Sequence, residues 1–320
     1  MLLALNRSLC RCQRMTNSTF ASDRQTETLQ ELLGLVKQGH QLHLQGSIPC
    51  SPIEPTRLSL SMGGNAAYFG HPDWGRLYFE ACHRDPAFIE RWQQATGSWN
   101  DKVVVDIGCG AGNVYASLGG APKLLIGVDI SLGALQMASS IGYQPLCADA
   151  QELPLQSGCA DIVVLNATLH HCDDMDAVLR EAARLVRPGG VLVTDHDLQR
   201  SAWDFKGVGW LLWELRLPMY RILKRGGHGS ESEQLCALAS EAHHTPGDGL
   251  DREFYPAILE PLGFDVQVYP HSHLQGASIF AEPPQQPERR FRFAQRLSGI
   301  DPASPDGALS LMCVARRSAA

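Results

Sequence analysis

The sequence predicts an α/β protein built on a mostly parallel sheet with helices on both faces. Two observations carry that prediction. Four almost wholly apolar runs, Lys102–Asp106, Leu124–Asp129, Ile162–Asn166 and Val191–Asp195, alternate with helical stretches. Strands without a polar face belong to sheets covered on both sides. The first run also leads into Gly108, Gly110 and Gly112, a turn through which a doubly wound sheet meets a ligand.

Residues 1–22 hold Arg7, Arg11 and Arg14 and no acidic residue. Their apolar opening is too short for a secretory signal. They read as an unstructured tail, as a transit-like extension addressed to an organelle, or as the result of a start at Met15. Residues 23–100 read as a helical cap. Leu29, Leu32, Leu33, Val36 and Leu44 recur at helical spacing over 24–45, the prolines and glycines of 46–65 read as a loop, and 74–96 read as helix up to Gly97-Ser98. From 101 to 320 a ligand-binding domain follows. After the Lys102–Asp106 strand and its glycines, a helix begins near Asn113. Then come the Leu124–Asp129 strand, a helix over 134–140, a weak strand over 144–147 and the Ile162–Asn166 strand. Residues 174–186 form an amphipathic helix, capped by Asp173 or Asp174 and stopped by Pro188-Gly189-Gly190 ahead of the Val191–Asp195 strand. Residues 264–269 and 309–314 are two further strands. Two long insertions, 201–251 and 271–308, interrupt the domain, and 282–308 reads as surface.

The chain has 320 residues, of which 44% are hydrophobic and 19% charged, with a net charge of -7. Such a composition folds, and an acidic chain offers no electrostatic footprint for duplex nucleic acid. No apolar run reaches the ~18 residues of a membrane span. Ten scattered cysteines without metal spacing suit a reducing compartment, and the cytoplasm is the expected location.

The glycine turn predicts a nucleoside site. Asp106 puts a carboxylate at the end of its strand. Asp129 closes the next strand, where a carboxylate can accept from both ribose hydroxyls. Asp149-Ala150 follows the weak strand, in reach of an adenine amino group, and Asn166–His171 lines the opposite wall. A dinucleotide fingerprint requires Gly-x-Gly-x-x-Gly, but here the third glycine is at 112 and position 113 is Asn, against a nicotinamide dehydrogenase.

In these words the chain resembles the class I, seven-stranded, Rossmann-like S-adenosylmethionine-dependent methyltransferases, in the branch that methylates quinones, sterols and other small metabolites. The matching words are Asp106-Ile-Gly-Cys-Gly-Ala-Gly112, Gly127-Val-Asp-Ile-Ser131, Asp149-Ala-Gln-Glu-Leu-Pro154, Asp161-Ile-Val-Val-Leu-Asn166, Leu169-His-His171 and Leu185-Val-Arg-Pro-Gly-Gly190. The resemblance implies S-adenosylmethionine as cofactor and a strand order 3-2-1-4-5-7-6 with the last strand antiparallel. It implies that Asp106, Gly108 and Gly110, with Cys109 between them, hold the methionine end. Asp129 and the adjoining Ile130 would meet the ribose, Asp149 and Ala150 the adenine, and Asn166 the region of the sulfonium.

Displacement at a sulfonium needs alignment and exclusion of water more than electrophilic help, and a base only if the nucleophile arrives protonated. His170 and His171 are the candidate catalytic residues, with His196 behind them. His243-His244 and His271-Ser-His273 have no metal-site spacing, and no metal is expected. Trp203, Trp210, Trp213 and Tyr220 lie in an apolar segment interrupted by Pro218 and edged by Arg216, Arg221, Lys224 and Arg225. That segment reads as a core-docked helix, as a lid over an apolar or aromatic substrate, or, across 203–225, as an interfacial helix in transient contact with a membrane surface. The expected function is methylation of a small apolar or aromatic metabolite at O, N or C. The alternatives are a catalytically inactive cofactor-binding regulator and a protein methyltransferase.

Overall fold

The computed structural model describes residues 26–54, 57–71, 73, 79–223 and 230–319. The tail 1–22 and the residues Lys224 and Arg225 lie outside them. Among the described residues one mixed sheet contains nine strands: β1 (His43–Gln45), β2 (Ile48–Cys50), β3 (Val103–Ile107), β4 (Leu124–Asp129), β5 (Gln144–Cys147), β6 (Ala160–Asn166), β7 (Val186–Leu198), β8 (Phe264–His271) and β9 (Ser310–Arg317). Their order is β1-β2-β5-β4-β3-β6-β7-β9-β8. The sheet is thus nine-stranded, not seven-stranded, and its order differs from the expected one. The β1–β2 hairpin extends the edge by pairing Cys50 parallel to Cys147 of β5. From β3 onward the strands follow the expected succession, with β9 antiparallel to both β7 and β8.

Caps explain the main helix starts. Asp174 accepts from the Ala177 N–H at 3.0 Å and opens Met175–Leu185. Ser131 opens Leu132–Ser140. Asp85, followed by Pro86, opens Pro86–Thr96.

Four expectations need correction. The first helix covers only 26–34, and the chain then bridges Val36 to Leu155 and enters the hairpin. The expected loop 46–65 contains β2 and, from its Ser59 cap, the helix Leu60–Phe69. Gly64 sits inside that helix because a Cβ there would fall 2.8 Å from the Ser240 backbone nitrogen. The Pro188-Gly189-Gly190 turn does not separate helix from strand. β7 runs through it, and the pairing with β6 shifts register between Ala160 and Ile162 to absorb it. Residues 282–308 are not mere surface, since they include the helix Arg289–Leu297, whose Gln295 is buried and donates to the carbonyls of Ala202 and Gly307.

The cap is part of the core. Leu32 packs on one face of the sheet with Val105, Ile126 and Leu165. Phe88, Trp92 and Trp99 pack on the other with Val104, Leu125 and Val193. No helix among the described residues is long and apolar enough to cross a membrane.

Candidate active site

A cavity of about 420 Å³ opens at the carboxyl ends of β3, β4 and β6. Gly108, Gly110 and Gly112 all take positive φ there, which a side chain would strain. A Cβ on Gly108 would also meet the Thr168 side chain at 2.5 Å. Ala167, His196 and His273 hold positive φ as non-glycine residues, and all three line this cavity. Backbone strain of this kind is commonest at ligand sites.

Asp129 faces the cavity, with one carboxylate oxygen accepting from the Gly110 N–H and the other from the Ser131 N–H, each at 2.8 Å. Those two bonds fix its plane and leave lone pairs for ribose hydroxyls. Gly108, Cys109, Gly110, Ile130, Asp149, Ala150 and Asn166 also line the cavity. Asp106 does not. It is fully buried beneath the glycines and accepts from the Tyr143 hydroxyl at 2.7 Å. Burial pushes its carboxyl up to about 7, the Tyr143 bond pulling the other way and the Asp129 charge adding to the rise. Asp106 therefore shapes the turn from below. Asp149 is paired with Arg57 at 2.7 Å and accepts from the Gln151 N–H at 2.9 Å. An adenine amino group would share that carboxylate with Arg57, a partner hidden in the stretch read as loop. The Asn166 amide donates to His83 at 2.8 Å, and its buried Oδ1 has no partner. A cavity of this size, with the Asp129 carboxylate anchored and a carbonyl oxygen left over, fits the donors of a nucleoside cofactor.

The far wall is rich in histidine. His83, His170, His171, His196, His244 and His273 all line the cavity. Both the backbone and the Nδ1 of His170 bond Asp197, the latter at 2.8 Å. Burial alone would lower this imidazole, but the Asp197 bond and charge outweigh it, and the net shift is upward. His171 Nδ1 donates to the Ser240 carbonyl at 2.6 Å, and burial with the neighbouring His170 holds it down to about 4. Glu241 stays ionised, because the surrounding imidazoles overcome its burial. The helix Leu60–Phe69 clamps this corner through Ser61 and Asn65, which both donate to the His171 carbonyl. Its Met62, Tyr68 and Phe69 reach the cavity, a contribution that the glycine-rich sequence concealed.

His196 stacks on Phe88 and is kept neutral by burial, with Arg91 and other imidazoles close by. Beneath it, Arg91 and His271 bond Asp195 at 3.0 and 2.6 Å, and all three side chains are fully buried. His273 bonds Ser310. His243 is tied to Asp248 and the Cys172 carbonyl.

Of the aromatic residues in the inserted segment, Trp203 is 7% exposed, lines the cavity and donates to the Leu309 carbonyl. Phe291, from the second insertion, packs against it. Trp213 packs behind Trp203 under the Arg216 guanidinium. Trp210 is 47% exposed, and neither it nor Tyr220 lines the cavity. Pro218 does not interrupt the helix, which runs Gly207–Ile222.

The profile of a methyltransferase domain matches residues 105–194. A malonyl-[acyl-carrier protein] O-methyltransferase of Yersinia pestis is 28% identical over 171 residues, 52% of this chain and 61% of that protein. A ubiquinone biosynthesis O-methyltransferase of Bordetella avium is 29% identical over 191 residues, 56% of this chain and 77% of that protein. One from Ralstonia nicotianae is 34% identical over 120 residues, 35% of this chain and 50% of that protein. The chain thus spans less than two thirds of the first and third of these relatives. Sheet and cavity define a doubly wound α/β protein with a cleft at its topological switch point. With the matches, residues 105–194 are a methyltransferase domain of class I type.

Proposed function

We propose that the protein transfers a methyl group from S-adenosylmethionine to an oxygen of a small aromatic or apolar acceptor. One observation carries the reading: the nucleoside-side loops and a wall of histidines and aromatic rings line the same cavity. The relatives are O-methyltransferases by name, which supports an oxygen acceptor.

The bound cofactor supplies an electrophilic methyl on a sulfonium. Asp129 accepts from the ribose hydroxyls, and the Gly108–Gly110 backbone lies against the methionine end. Met62, Phe69, Trp203 and Phe291 flank the acceptor and exclude water. An acceptor hydroxyl must lose its proton as its bond to carbon forms, and His170 and His171 are the residues that act on it. Each has Nδ1 engaged and its Nε2 lone pair left over. In the metal-free protein His170, backed by Asp197, is the stronger base.

The test uses two variants. Asp129→Ala should weaken S-adenosylhomocysteine binding by about 1.5–3 kcal/mol. His170→Ala should leave that affinity alone and lower kcat on a phenolic acceptor by roughly 10²–10⁴-fold. Binding of NAD in place of S-adenosylhomocysteine in calorimetry rejects the reading.

The exposed apolar side chains Val208, Leu211, Leu215, Met219 and Ile222 favour one addition, that the 207–222 helix touches a membrane surface where an apolar acceptor dissolves. Flotation with anionic vesicles checks it. Protein left wholly at the bottom of the gradient removes the idea.

A further inference from the structure

We propose that His170, His171 and Glu241 form a site for a divalent cation of zinc or cobalt type at the acceptor end of the cavity. One ring nitrogen of each histidine and a Glu241 carboxylate oxygen lie within 4.8 Å of one another, and all three residues line the cavity. His170 Nε2 is 3.8 Å from Glu241 Oε2. Two imidazoles and one carboxylate, with the remaining position open, are a ligand set of catalytic zinc sites. Ligand bonds of about 2.0–2.2 Å put neighbouring donors about 3.3–3.5 Å apart in a tetrahedron. The cluster needs only a side-chain contraction to reach that spacing.

The surroundings of the three donors set the cluster apart from a chance meeting of polar groups. Metal-binding histidines give their second nitrogen to a carboxylate or carbonyl, which fixes the ring and its tautomer, and ligating carboxylates are themselves hydrogen-bonded. Each of these requirements is met. His170 Nδ1 is held by Asp197 at 2.8 Å and His171 Nδ1 by the Ser240 carbonyl at 2.6 Å. Glu241 accepts from His244 Nδ1 at 2.6 Å. Both imidazoles are thereby left with Nε2 as the available donor. His170 and His171 are adjacent in the chain, and adjacent residues on a helix would diverge. Here they sit in a short 3₁₀ turn, Leu169–His171, with ring centroids 4.1 Å apart. The third ligand arrives from the first insertion, 70 residues downstream, so sequence spacing alone conceals the site.

The catalytic consequence rests on the proposed methyl transfer, whereas cation binding does not. An acceptor hydroxyl on the open position would ionise, its proton passing to water. Its oxygen would then bond the methyl as the carbon–sulfur bond breaks and the sulfonium becomes a neutral thioether.

The experiment is a cobalt(II) titration of metal-free, untagged full-length protein, followed by the visible d–d absorption, with S-adenosylhomocysteine affinity measured on the same samples. One equivalent should bind with a tetrahedral or five-coordinate spectrum and be displaced by zinc. Glu241→Gln and His171→Gln should each weaken binding at least ~10-fold, and Asp197→Asn by roughly 10–100-fold. His43→Ala, an exposed histidine on the edge hairpin, should change nothing. Cobalt binding that is absent, or equally strong in Glu241→Gln and His171→Gln, overturns the site while S-adenosylhomocysteine binding leaves the methyltransferase reading standing. Loss of S-adenosylhomocysteine binding in the unaltered protein would overturn that reading and leave the cobalt result to be judged alone.

Discussion

Asp106 is a carboxyl group with no exposed surface, held by the Tyr143 hydroxyl at 2.7 Å. The motif located it at the end of β3, but only the fold buries it beneath the turn, against Tyr143. A buried carboxylate raised to about 7 stabilises the fold fully below the unfolded-state value. That contribution is lost as pH rises through about 7. Asp106→Asn has no charge to bury. Relative to the parent it should therefore gain stability between about pH 4 and 7, by on the order of 4 kcal/mol at the upper end. Urea midpoints at pH 4.5 and 8 check this, and a variant that tracks the parent at both would show that the carboxylate escapes burial. Asp129, by contrast, was legible in place and direction, because a strand-end carboxylate beside a glycine turn has few other orientations. Arg57 was not legible. A lone arginine in a proline-rich stretch carries no sign of the carboxylate, 92 residues on, that it will meet.

Among the elements, the parallel strands were readable because burial on both faces leaves an unbroken apolar run. The helix Leu60–Phe69 was not, because Gly63 and Gly64 imitate a turn. The structure gives Gly64 a packing reason. The helix Glu231–Ser240 crosses so closely that a Cβ at 64 would lie 2.8–2.9 Å from the backbone of Ser240 and Ala239. Backbone cannot yield as a flexible side chain would. Gly64→Ala should cost about 1–3 kcal/mol despite the better helix propensity of alanine. It should also raise the acceptor KM, since the helix carries Met62 and Phe69 on the cavity side and Ser240 anchors His171. A thermal melt beside steady-state kinetics reads both effects, and an unchanged or raised Tm would show that the two helices separate freely. The 207–222 segment was rightly read as helical, but tryptophan content misled about its inner face. Trp203, ahead of the helix, reaches the cavity, while Trp210 points outward.

At the scale of the whole molecule, cap and sheet are one body, although a change of pattern near residue 100 divides them in the sequence. Leu32 completes the core on one face of the sheet, and Phe88, Trp92 and Trp99 complete it on the other. The fully buried Arg91–Asp195 pair ties the helix Pro86–Thr96 to β7, and Arg57 ties the segment before the 60–69 helix to the loop after β5. None of these contacts resembles a linker-separated interface, and a buried charge such as Asp195 cannot be left unpaired cheaply. Full-length protein should accordingly unfold in one step, with tryptophan fluorescence and far-UV circular dichroism giving the same midpoint. Trp92→Ala should lower that common midpoint by about 3–5 kcal/mol equivalent, the usual cost of emptying a buried tryptophan site. Saturating S-adenosylhomocysteine should raise both probes together, because a ligand of the native state stabilises everything that unfolds with it. An independent cap predicts otherwise: Trp92→Ala would move only an early fluorescence transition, and the ligand would move only a later one that reports the sheet.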